Sequence, residues 1–210
     1  MMKYFRSRSR QSNDGFTLIE LLVIVIIIGI LSAIAAPGWL AFTNNRRIGT
    51  VRSQVADAVR KAQTEAKTKQ TLRAVVFDEN SDPTGRLPRV AVTRCLASGT
   101  TATDYDSSKC ILPAQLDWQT LGGGDVKAGT VRYVPGTIPI PPNGKAANQL
   151  RLVFDGNGVV RKSESDWPST SENFVIGFQL VNSPKSQRCL IVQTILGGMR
   201  EGNSASECGT

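Results

Sequence analysis

Gly15-Phe16-Thr17-Leu18-Ile19-Glu20 opens an apolar run that continues to Ala36, and the reading of this stretch decides the fold. Between Phe16 and Ala36 the only charge is Glu20. At about 1.5 Å per helical residue the run is long enough to cross the roughly 30 Å hydrocarbon layer of a bilayer. A lone carboxylate at that depth costs on the order of 2.5–3.5 kcal/mol on insertion scales, so it is expected to be functional and to need a cationic partner. No Lys or Arg occurs between Phe16 and Thr43, so no side chain of the span supplies one. A free α-amino group does so if the chain is cut before Phe16.

A general secretory signal peptide accounts for less. Lys3, Arg6, Arg8 and Arg10 precede the run, and Ala33-Ile34-Ala35 has the spacing of a signal-peptidase site. The run, however, exceeds the usual ~7–15 apolar residues of such a signal, and an acid near its start is out of place. The basic residues ahead of the run favour a cytoplasmic amino terminus, with the rest of the chain sent outward.

Past Pro37 the helical pattern changes character. Ile48, Val51, Val55, Val59, Ala62 and Ala66 recur at steps of three and four, while Arg46, Arg47, Arg52, Arg60, Lys61 and Lys67 fill the other faces. The helix is expected to run to about Lys69, with a kink or local melting at Pro37-Gly38 because proline removes one backbone donor. Trp39 sits where an interfacial anchor belongs.

From residue 71 the pattern is one of short strands and turns. Leu72–Phe77 and Arg89–Cys95 are strands divided by the turn Asp82-Pro83-Thr84-Gly85. Residues 97–109 are a polar loop, Val131–Val134 a short strand, and the prolines at 135, 139, 141 and 142 keep residues 138–144 out of a sheet centre. Leu150–Phe154, Asp155-Gly156-Asn157-Gly158 and Val159–Lys162 read as a hairpin. A second antiparallel pair, Phe174–Val181 and Cys189–Ile195, turns at Ser183-Pro184-Lys185-Ser186. The expected class is α+β: a long amino-terminal helix, apolar over 16–36 and amphipathic over 37–70, packed on an antiparallel β-sheet domain over 71–210.

The chain has 210 residues, formal net charge +8, four cysteines and no histidine. The lack of histidine excludes a Ser-His-Asp triad, a Cys-His pair and a His-ligated metal. No carboxylate pair stands out, and Leu121-Gly122-Gly123-Gly124-Asp125 lacks the Lys-Ser/Thr of a phosphate-binding loop, so it reads as a flexible turn. No enzyme activity, cofactor or metal is expected. Cys95, Cys110, Cys189 and Cys208 fit an oxidising compartment and allow three pairings. The local ones, Cys95–Cys110 and Cys189–Cys208, are the simplest, each contributing about 3 kcal/mol.

A basic leader, then Gly15, Phe16, Thr17-Leu18-Ile19-Glu20 and a long apolar helix, resembles the class III signal of type IV pilins and type II secretion pseudopilins. The resemblance implies a leader over 1–15 removed by a prepilin peptidase after Gly15, and Phe16 as the N-methylated new amino terminus. It makes Glu20 the acid that meets a neighbouring subunit's terminus. Gly29 and Pro37 match helix-softening positions of the family. Its members lie in the inner membrane with one pass and an exported carboxyl-terminal domain, and their partners are other pilins.

Ala62-Gln63-Thr64-Glu65-Ala66 before Val75-Val76-Phe77, together with Leu152-Val153-Phe154-Asp155-Gly156-Asn157-Gly158 and Cys189-Leu190-Ile191-Val192, is similar to GspH/FimT-like minor pilins. Some of these carry a Gly-Arg-x-Arg tail that binds DNA during uptake. Here the matching place reads Gly198-Met199-Arg200-Glu201, which leaves Arg188 and Arg200 as the residues of a DNA-binding alternative.

Overall fold

A computed structural model describes residues 15–78, 88–96, 110–127, 129–134, 149–163, 165–167 and 173–208. The chain divides into two units, residues 1–42 and residues 43–210. One helix, α1 (Leu18–Lys69), contributes to both. Its backbone is helical without interruption through Pro37 and Gly38, so the melting expected there does not occur. Proline removes only one donor, and the intact turns on either side hold the helix across that gap.

In the second unit the stripe anticipated on α1 is the centre of the core. Ile48, Val51, Val55, Val59, Ala62 and Ala66 are all completely buried. They pack against the inner faces of two four-stranded antiparallel sheets formed by the described strands. The first sheet has the order β3-β2-β1-β5, from β1 (Arg73–Asp78), β2 (Arg89–Arg94), β3 (Gln119–Thr120) and β5 (Gln149–Phe154). The second has the order β4-β6-β7-β8, from β4 (Val131–Tyr133), β6 (Phe174–Leu180), β7 (Ser183–Val192) and β8 (Met199–Gly202). A last short helix, α2 (Ala205–Cys208), follows β8.

Strand alternation sends every second side chain to the helix. Val75, Phe77, Leu150, Leu152 and Phe154 do so from the first sheet, and Phe174, Ile176, Phe178, Leu190 and Val192 from the second. Phe174 lies 6.5 Å from Phe77 and 5.6 Å from Trp167, and Tyr133 lies 5.3 Å from Phe178, measured between ring centroids. The opposite faces carry two smaller clusters, each containing one disulfide. Cys95–Cys110 lies with Leu72, Ala74, Val76 and Val153 on the first sheet, and Cys189–Cys208 with Ile191 on the second.

Several local features differ from the pattern read in the sequence. The Asp155–Gly158 turn forms as expected, with the Asp155 carboxylate accepting from the Asn157 and Val159 amides, each at 2.9 Å. Gly158 there has φ +75°, and a Cβ at that point would overlap the Lys67 side chain of α1. Residues 159–162, however, make only a single bridge, Phe154 to Val160, and are not a strand. Strand β5 pairs instead with β1 in full register, Arg73 opposite Phe154.

The free edge of β5 is closed by side chains. The Arg151 amide donates to the Asp166 carboxylate at 2.8 Å and the Val153 amide to the Ser165 hydroxyl at 2.9 Å. The turn expected at Ser183–Ser186 belongs to strand β7; the reversal falls at Val181-Asn182, with a register shift at Gln179/Leu180. Gly122 to Asp125 is anchored rather than loose, since the Gly122 amide donates to the Gln54 side chain at 2.6 Å and Gly123–Asp125 form a 3-10 turn. The expected turn at 82–85, the loop at 97–109 and the proline-rich 138–144 lie outside the described residues.

The Glu207 carboxyl is held below its ordinary value of 4.5, first by the Asn203 backbone amide that donates to it at 2.6 Å and then by the charge of Arg200. A depressed carboxyl contributes stability above its unfolded pKa and loses it as the pH falls through the folded one. Amide exchange at Asn203 is therefore expected to accelerate as the pH drops below about 4.5, after correction for intrinsic rates, and Glu207→Gln is expected to flatten that dependence. Phe154→Ala empties a fully buried ring site and is expected to lower stability by about 3–5 kcal/mol, measured by urea unfolding of the detergent-solubilised chain.

Candidate functional site: the amino-terminal helix

Gly15, Phe16 and Thr17 lie outside the helix, which starts at Leu18. The start is fixed chemically. The Thr17 hydroxyl accepts the Glu20 amide at 3.3 Å and the Thr17 carbonyl accepts the Leu21 amide at 3.2 Å, which makes Thr17 the N-cap. The spacing Thr-x-x-Glu is that of a capping box, a signal legible in the sequence itself.

From here the surface is apolar all round. Leu18–Ala35 has a mean hydropathy of 3.0, and none of it is buried within the chain. Phe16 is 77% exposed, and Leu18, Ile19, Leu21 and the aliphatic residues up to Ile34 are exposed too. A helix with no polar face is stable only when lipid or neighbouring apolar helices cover it. Glu20 is also exposed, and among the described residues it forms no ion pair.

Residues 10–36 match the family model described as the prokaryotic N-terminal methylation motif. Over 36 residues the chain is 58% identical to the type IV major pilin protein PilA of Myxococcus xanthus (strain DK1622). The amino-terminal segment is type IV pilin-like. That alignment covers 17% of this chain and spans about a sixth (16%) of the relative. Two crystal structures of the type IV minor pilin FimU of Pseudomonas aeruginosa (strain PAO1) also align. One has a TM-score of 0.43 and 15% identity over 78% of this chain and 94% of that chain; the other has 0.39 and 14% over 75% and 94%. Likeness of that degree does not extend to function.

Arg188 and Arg200 are not brought together. Arg200 stands opposite Ile191 in the β7–β8 register, whereas Arg188 shares the alternate face with Leu190. The Arg188 guanidinium donates to the Asn203 carbonyl, and Arg200 acts on Glu207. Glu201, the acid at the end of that tetrapeptide, pairs with Arg52 of α1 at 2.5 Å. The aromatic rings are likewise engaged: Trp118 packs on the outer face of the first sheet with the Arg89 guanidinium 4.8 Å above it, and Tyr133 and Trp167 are core or core-lining.

The cap makes a direct prediction. Thr17→Ala removes the side-chain acceptor of the first turn, at a cost of about 1 kcal/mol. Amide exchange at Glu20 in micelles is expected to speed up about fivefold, with residues of the second unit unchanged.

Proposed function

We propose that this chain is a minor pilin or pseudopilin: a structural subunit cut by a prepilin peptidase between Gly15 and Phe16, N-methylated at Phe16, and drawn into a helical filament through its apolar helix. The observation that carries this reading is Glu20, an exposed acid on the first turn of α1 at the head of its apolar stretch Leu18–Ala35, with no cation between Phe16 and Thr43. Processing places a positive amine at Phe16, at nearly the depth of Glu20, and a neighbour's amine neutralises the acid once two helices pack. Lipid-stranded acid and amine then select for packing in register. The scissile bond sits two residues ahead of the capped helix, in non-helical backbone that a peptidase can engage.

In this reading the chain is held in the inner membrane by a single pass, with its β-rich unit outside. The β-domain is the presented surface, and the work of the subunit is assembly, not chemistry. A DNA-uptake role gains no support from Arg188 and Arg200, which lie on opposite faces with their charge engaged by Asn203 and Glu207.

The test uses the native host. Mass spectrometry of the membrane-extracted protein is expected to find methylated Phe16 as the first residue, and an intact Met1 or a start at Ala36 refutes the reading. Glu20→Ala is expected to insert into the membrane at normal levels yet fall at least about tenfold in sheared filaments, since it removes a membrane-buried partner worth on the order of 2 kcal/mol.

A further inference from the structure

We infer that Arg52 is a positioning residue for closure of the Cys189–Cys208 disulfide, bringing the two thiols together by tying the carboxyl-terminal strap to α1 before oxidation. Arg52 stands on α1, its side chain only 14% exposed, 150 residues from the strap it holds. Its guanidinium donates to the Gly202 carbonyl at 3.2 Å and the Asn203 side-chain oxygen at 2.9 Å, and pairs with Glu201 at 2.5 Å. Three consecutive residues are thus fixed by one side chain, at the point where β8 ends and the chain turns into α2.

That point is also where the sulfurs sit. Gly202 pairs in register with Cys189. A Cβ built on Gly202 would overlap the Cys189 sulfur and stand 3.3 Å from that of Cys208. The Asn203 backbone is engaged on both sides: its carbonyl accepts from Arg188 and its amide donates to Glu207, one residue before Cys208. Helix α2 has four residues and cannot hold itself. Placing Gly202 and Asn203 therefore places Cys208 over Cys189.

Closure by a small-molecule disulfide such as oxidised glutathione proceeds in two exchanges. One protein thiolate attacks the oxidant, forming a mixed disulfide and releasing one thiol; the second protein thiolate then displaces the other. Two protons and two electrons leave the protein, and two small thiols result. Only the second exchange needs the cysteines side by side, and that is the step Arg52 favours. The other bridge has separate supports, the Cys95 amide on the Leu72 carbonyl at 3.1 Å and the Leu96–Ile111 pair, so it closes without Arg52. The second disulfide thus forms on chains whose strap has already docked on α1.

The full chain, reduced in detergent micelles and then given oxidised glutathione, tests this by timed alkylation and peptide mass spectrometry of each bridge. Arg52→Ala is expected to slow Cys189–Cys208 closure about tenfold, as loss of hydrogen bonds to a charged group implies, with Cys95–Cys110 closing at the parent rate. Asn203→Ala, which deletes one acceptor at the surface, is expected to slow the same bridge by a few fold. Parent-like closure in either variant, or equal slowing of both bridges, overturns the assignment.

Discussion

Both sheets are built on one narrow strip of one helix. Val51, Val55, Val59, Ala62 and Ala66 are wholly buried, and the small residues among them let the strands approach closely enough for four phenylalanines to fill the remaining space. Full burial of side chains of this size contributes about 1.5–3 kcal/mol each, so this contact outweighs any single ion pair in the unit. The outer faces depend on it. Their clusters are small, and each is completed by a covalent bridge, which supplies by restraint what a thin apolar layer cannot supply by area.

The same helix works against two different surroundings. Up to Ala35 it has no internal partner and no polar face, and the only charge is Glu20. Past Thr43 it alternates, with a buried stripe and a charged exterior where Arg60, Lys61, Lys67 and Lys69 meet solvent. Nothing in the backbone marks the change. It lies wholly in the side chains, and the helix continues past the one backbone donor that Pro37 lacks.

This division also governs how much of the molecule its residues announce in advance. Periodicity gave away the buried stripe residue by residue, and apolar β-branched runs gave away β1, β2, β5, β6 and the last four residues of β7, because those elements face a core and their patterns record it. Strand β8 was missed for the opposite reason: in Met199-Arg200-Glu201-Gly202 the central pair is charged and exposed, and the strand is held by pairing to β7 and by a distant arginine more than by its own apolar content. Residues 159–162 look like the second arm of a hairpin, but the Val160 amide is taken by the Ile195 carbonyl from another loop, a long-range choice that no local pattern encodes. At the amino-terminal site Glu20 stood out through its misplaced charge, whereas Thr17 did not, since a hydroxyl beside a helix start is ordinary until its bond is seen. Arg52 is illegible from sequence altogether, its three partners lying about 150 positions away.

The side chains of Ser165 and Asp166 along β5 have a further effect. An open sheet margin offers a row of free amides to any other extended chain, and the hazard grows where many copies crowd together. Here the Arg151 and Val153 donors are already occupied by a carboxylate and a hydroxyl from the same subunit. A second copy of the domain laid along that border finds the Arg151 and Val153 amides taken and cannot knit into a common sheet through them.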